Sequence, residues 1–143
     1  MKLQEDVVYL ARVPIDTNVA PGERYRELAH AALDGLDLNL PGSGKVMLKA
    51  NATVLNPADK RIITNPDFLA GIAEAFIAKG VSPSRVEVGD GQSGEDADYG
   101  QTWKGSGYTD AIADVGATLV PFNNTSVRDI EVEGGIIYPR YPI

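Results

Sequence analysis

The chain contains no cysteine and a single histidine, His30. Disulfides, thiol nucleophiles, cysteine zinc sites and cysteine-ligated iron–sulfur clusters are beyond what these residues can build. One histidine also leaves a multi-histidine metal site out of reach. Basic residues are in short supply: 13 Lys and Arg stand against 20 Asp and Glu, for a formal net charge of −7. They are scattered along the sequence, so the surface repels phosphate backbones and anionic bilayers alike. Neither nucleic acid nor a membrane is an expected partner. No apolar run approaches the roughly 18–20 residues needed to span a bilayer. Met1-Lys2-Leu3-Gln4-Glu5-Asp6 turns polar at once and lacks the apolar stretch of an export signal, so a cytoplasmic location is expected.

What is present suits one globular domain. The 143 residues are 43% hydrophobic and 23% charged, which is enough to bury a core without covalent staples. Val7-Val8-Tyr9-Leu10-Ala11-Arg12-Val13 reads as a buried strand. From Glu23 to Leu36 the apolar residues fall on one helical face, through Tyr25, Leu28, Ala29, Ala32 and Leu33. Lys45–Asn51 reads as the next strand. Asn65 then has the character of an N-cap, Pro66 that of a first helical residue, and Phe68, Leu69, Ile72, Ala73, Phe76 and Ile77 form a helical stripe that Gly80 ends. Arg85–Val88 is a third strand. A glycine-rich loop is expected from Gly89 to about residue 107, followed by a helix near 108–115 and a fourth strand over Ala117–Phe122. Val127–Glu133 and Ile136–Tyr138 flank Gly134-Gly135, a hairpin signal.

The order β-α-β-α-β-α-β predicts an α/β fold, a mainly parallel sheet flanked by helices on both faces, with a C-terminal β-hairpin. Residues 1–143 are expected to form a single domain. The apolar, extended-looking Ile136–Ile143 predicts a domain truncated at its C-terminal end.

Ligands of parallel sheets gather at the carboxyl ends of the strands. Two segments qualify here. The first is Lys49-Ala50-Asn51. A lysine at a strand end anchors an anion, or acts as a base when buried, and otherwise is a snorkelling surface residue. The second is the loop opening with Gly89-Asp90-Gly91. Gly89, Gly91 and Gly94 satisfy G-x-G-x-x-G, but no helix follows at once, and Glu95, Asp96 and Asp98 would repel a pyrophosphate. Asp90 sits where a carboxylate can take a hard cation or a hydroxyl, whereas a solvated acidic loop is the plainer reading of the four carboxylates together. Thr64 precedes a helix N-terminus that an ordinary cap explains equally well. Gly42-Ser43-Gly44-Lys45 imitates a phosphate-binding loop but enters a strand instead of leaving one, and Val46 stands where Ser or Thr is needed. Trp103, Tyr99 and Tyr108 read most simply as core packing beneath a long loop.

Four segments carry a family resemblance. They are Gly44–Asn51, Ile63–Asp67 with its following helix, Val86-Glu87-Val88-Gly89-Asp90, and Gly107-Tyr108 with Gly116-Ala117. In order and spacing the chain resembles the domain of unknown function family 362. Ala50 and Asn65 depart from the proline and histidine of the family pattern, so no role for that histidine is carried over. Some relatives bear a ferredoxin-like segment. The resemblance therefore implies the N-terminal part of a redox-associated, iron–sulfur-linked enzyme, although this chain has no cysteine for a cluster. The alternative is a non-catalytic module that binds a small ligand or a partner. Lys49 and Asp90 are the candidate catalytic residues, with Asp90 also a candidate metal ligand. Asn51, Thr64, Gly89 and Gly91 are the candidate cofactor-binding positions. The expected ligand is a small molecule or an anion, and the cofactor is left open.

Overall fold

The computed structural model describes residues 18–34, 36, 38, 40, 42–52, 63–91, 99–122, 129–131 and 140–142. Helix α1 spans Pro21–Asp34 and strand β1 spans Val46–Lys49. Helix α2 covers Pro66–Ala78, a 3₁₀ turn covers Pro83–Arg85, and β2 covers Val86–Asp90. Helices α3 (Tyr99–Ser106) and α4 (Tyr108–Asp114) precede β3 (Thr118–Pro121). Strands β4 (Asp129–Glu131) and β5 (Arg140–Pro142) complete the described elements.

Strands β1, β2 and β3 form a parallel sheet in that order. Leu48, Val88 and Leu119 lie in register across it. They share a core with Leu69 of α2 and with Tyr108, Ala111 and Ile112 of α4. Val46 and Val86, two residues earlier on their strands, pack with Ala73 and Phe76 of α2. Since side chains alternate along a strand, all of these occupy one sheet face. The α/β class is as expected, but among the described residues the helices that pack on the sheet do so on this one face. Helix α1 lies against α2.

The turns that feed β2 and β3 use the same device. At the end of α2, Gly80 N–H donates to Ile77 O at 2.9 Å and Val81 N–H to Phe76 O at 3.1 Å. At the end of α4, Gly116 N–H donates to Ala113 O at 3.0 Å and Ala117 N–H to Ile112 O at 3.2 Å. Both patterns are Schellman caps, which require a left-handed residue, and Gly80 and Gly116 take φ of +95° and +72°. Each cap reverses the chain toward the next strand, by way of the 3₁₀ turn Pro83–Arg85 in the case of β2, and the three parallel strands keep their carboxyl ends on one side. The start of α2 also follows its sequence signal. Asn65 Oδ1 accepts from Asp67 N–H at 2.9 Å and Phe68 N–H at 3.1 Å, with Pro66 in the first turn.

Two sequence expectations change. The stretch from 89 to 107 is not loop throughout, because α3 occupies its second half. Gly100 and Gly105 masked that helix in the sequence. Tertiary burial of Trp103, 8% exposed, and Ser106, 1% exposed, supplies what propensity does not. Helix α1 begins at Pro21, not Glu23, because proline is accommodated where the first N–H needs no partner. At the C-terminal end, Asp129–Glu131 pairs antiparallel with Arg140–Pro142. Residues 134–138 and the expected first strand, Val7–Val13, lie outside the described residues.

Small residues set how α1 meets α2. A Cβ built on Gly71 would stand 2.7 Å from Arg26 Cα and 2.9 Å from Ala29 Cβ. The two backbones therefore approach too closely for any side chain at this position. Gly71→Ala is expected to destabilise the fold by about 1–3 kcal/mol through overpacking, despite alanine's better helix propensity. Urea denaturation with an unchanged slope and a lower midpoint checks it. A midpoint that rises would show that α1 does not sit tightly on α2.

Candidate functional site

Asp90 is the last residue of β2, and its place on the strand decides its surroundings. It follows Val86 and Val88 on the helix-facing side of the sheet and is 3% exposed. A buried carboxylate needs partners, and this one has three. Oδ2 accepts the Ala52 N–H at 2.7 Å. Oδ1 accepts the Gly91 N–H at 2.9 Å and the Lys49 ammonium at 3.0 Å.

Lys49, the last residue of β1, lies in register with Gly89. The strand alternation places it on the face opposite the helices, and its side chain wraps the strand end to reach Asp90. Nζ also donates to Ala50 O at 3.0 Å. Of its three donors, two are thereby used within the chain, while 66% of the side chain remains exposed. The result is a cation held in one place at the carboxyl edge and open to solvent.

The chain then crosses this edge in a fixed path. Ala50 N–H donates to Gly89 O at 2.8 Å, prolonging the pairing beyond β1. Asn51 and Thr64 bond reciprocally: Thr64 N–H to Asn51 O at 3.0 Å and Asn51 N–H to Thr64 Oγ1 at 3.0 Å. Tyr108, at the start of α4 and 1% exposed, donates its hydroxyl to Thr64 O. Burial, and then the charge of Asp90, push this phenol well above its ordinary range, so it stays a protonated donor.

All six sequence candidates are thus at the carboxyl edge: Lys49, Asn51, Thr64, Gly89, Asp90 and Gly91. The structure gives the two glycines roles within the chain. A Cβ on Gly89 would run into the Phe122 ring and Val120 O, and the Gly91 amide is committed to Asp90. Two participants escaped the sequence. The Ala52 donor is a backbone amide with no side-chain signature, and Tyr108 read as a core aromatic because nothing local marks its link to Thr64. Among the described residues no group of three or more His, Cys, Asp or Glu could hold a metal ion. The three N–H donors on Asp90 are the partners of an anchoring carboxylate. The companions Glu95, Asp96 and Asp98 lie outside the described residues.

A model of the family described as Domain of unknown function (DUF362) matches residues 46–142, which is more than half of the chain. The chain belongs to the DUF362 family. No curated protein and no solved structure matches it. Every residue of the edge, from Lys49 to Tyr108, falls within the DUF362 match, whereas α1 falls before it. No helix among the described residues is long and apolar enough to cross a membrane.

A concavity of about 370 Å³ is lined by Arg26, Pro66, Asp67, Gly107, Asp110, Ala111 and Asp114. None of the six edge candidates lines it. Arg26 there bonds Glu74 at 2.7 Å and Asp114 at 2.9 Å and lies 3.6 Å from Asp67, so it ties α1 to α2 and α4.

The burial difference between Lys49 and Asp90 separates their energetic roles. An ion pair with an exposed ammonium is worth about 0–1 kcal/mol. Orphaned buried amides cost on the order of 1–3 kcal/mol. Asp90→Ala is therefore expected to lower stability by about 2–4 kcal/mol and Lys49→Ala by less than about 1 kcal/mol. Denaturant midpoints of the two variants check this, and equal losses would contradict the assignment of Asp90 as the anchor.

Proposed function

We propose that this DUF362 protein binds a small anionic molecule at the carboxyl edge of its sheet, and that Lys49 is the residue that holds it. One observation carries the reading. The Lys49 ammonium is fixed by Asp90 and Ala50 O, yet most of its side chain is open to solvent. A lysine that only solubilised the surface would gain nothing from a buried carboxylate held in turn by two backbone amides. A preorganised cation costs less ordering when it meets an anion, and the strand ends are where parallel sheets present ligands.

The geometry supports the following roles. Lys49 binds the anionic group. Asp90 keeps Lys49 and the Ala50–Ala52 backbone in place. Asn51 and Thr64, bonded to each other, shape the neighbouring wall and orient the bound molecule. The broader reading, the N-terminal part of a redox-associated enzyme, finds no donor set here for an iron–sulfur cluster, since the chain has no cysteine. No step through such a group is derived, and in that setting these residues would bind and orient the substrate.

Inorganic phosphate is the simplest probe. Calorimetric titration of the full chain at low ionic strength is expected to show saturable binding. Lys49→Met should weaken it at least about tenfold, because a charge-assisted contact of about 1.5–3 kcal/mol is removed. The melting temperature of the unliganded variant should barely move. Added salt should weaken the wild-type affinity, since the site is exposed and screened within roughly 10 Å at 0.1 M. Equal affinity in Lys49→Met, or no saturable binding by the wild type, would overturn the proposal.

A further inference from the structure

Tyr108 belongs to α4, but its hydroxyl serves the segment that precedes α2. It bonds Thr64 O, 44 residues away. Thr64 is locked to Asn51 by two hydrogen bonds of 3.0 Å. The residue after Asn51 is Ala52, 1% exposed, whose N–H is the 2.7 Å donor to Asp90 Oδ2. Asp90 in turn holds Lys49 at 3.0 Å. A continuous chain of hydrogen bonds and single peptide units thus runs from α4 to the exposed ammonium.

We infer that Tyr108 is the positioning residue of the carboxyl edge: through Thr64 and Asn51 its hydroxyl fixes the Ala52 amide on Asp90 and so fixes Lys49. This inference rests on the edge being the anion site proposed above. It touches no ligand itself. Three features favour this role over simple packing. A core position needs only the ring, and phenylalanine would fill it without having to satisfy a polar group. The hydroxyl instead meets a backbone carbonyl of the very segment that borders Asn51. The phenol also keeps its proton, held by burial and by Asp90, so it remains a donor to Thr64 O. The bond from Tyr108 to Thr64 O joins α4 to the segment that enters α2, which leaves the strand-end backbone beside it little freedom.

Tyr108→Phe removes the hydroxyl and keeps the ring. Ile112→Val, which trims a fully buried neighbour in the same core, serves as a control of comparable, purely packing-derived cost. Amide hydrogen exchange of the full chain, read by NMR, is measured at Ala52 and at Ala73 within α2. In Tyr108→Phe, Ala52 should exchange at least about fivefold faster relative to Ala73, the loss expected from one hydrogen bond of ordinary strength. Phosphate affinity should fall by a similar factor. In Ile112→Val the Ala52-to-Ala73 ratio and the affinity should be unchanged. If Ala52 and Ala73 accelerate together in both variants, Tyr108 is a packing residue and the inference fails. Phosphate that binds neither wild type nor variant, with Ala52 still selectively released by Tyr108→Phe, would leave the positioning role standing and overturn the anion site instead.

Discussion

A carboxylate taken out of water is unstable unless other groups replace its hydration, and the effective penalty is several kcal/mol. Asp90 meets that requirement with donors from three places: the end of β1, the residues that follow β1, and the peptide just after itself. None of these can move without leaving the anion short of a partner. The direction in which the chain leaves the sheet is therefore set by one side chain. The paired strands bring Lys49 and Gly89 into register, the bond from Ala50 to Gly89 O continues that register by one residue, and the Ala52 amide then turns inward to the carboxylate.

This arrangement separates stability from exposure. The buried side of the network, made of Asp90, Ala52 and Tyr108, faces the helix layer and shares its core. The Lys49 side chain comes from the other face of the sheet, and most of it is in water. Its attraction to Asp90 adds little to folding because solvent screens it. The same attraction restricts where the charge can be, and a restricted charge is useful for recognition even when it is nearly worthless as a brace. The acidic balance of the rest of the chain sharpens the point. With a formal net charge of −7, an anion is repelled over most of the surface and needs a local cation held for it.

The sequence made part of this legible for definable reasons. Lys49, Asn51 and Asp90 could be found because two strand ends of a parallel sheet were recognisable, and the sheet rule says which ends matter. Asn65 and Pro66 announced α2 by local capping chemistry, and they behave as that chemistry requires. The Ala52 amide could not be read, since every residue but proline has one and only the tertiary path selects it. Tyr108 looked like any buried aromatic, because its partner lies 44 residues away. Helix α3 was obscured by Gly100 and Gly105 and is held by contacts of Trp103 that no local window contains. The glycines at 89 and 91 invited a ligand reading by their spacing, whereas the observed reasons are the Phe122 ring against one and the Asp90 carboxylate on the amide of the other.

The central claim is that a fixed Lys49 ammonium at the sheet's carboxyl edge is the group that meets an anion. Lysine side-chain amine NMR on the full chain addresses it directly, with Lys49→Arg used to assign the resonance. Bonded to Asp90 and Ala50 O, the Lys49 ammonium should exchange its protons more slowly than the exposed lysines. Added inorganic phosphate should shift that resonance saturably while the others drift only with ionic strength. A Lys49 signal that exchanges and titrates like every other surface lysine would contradict the account.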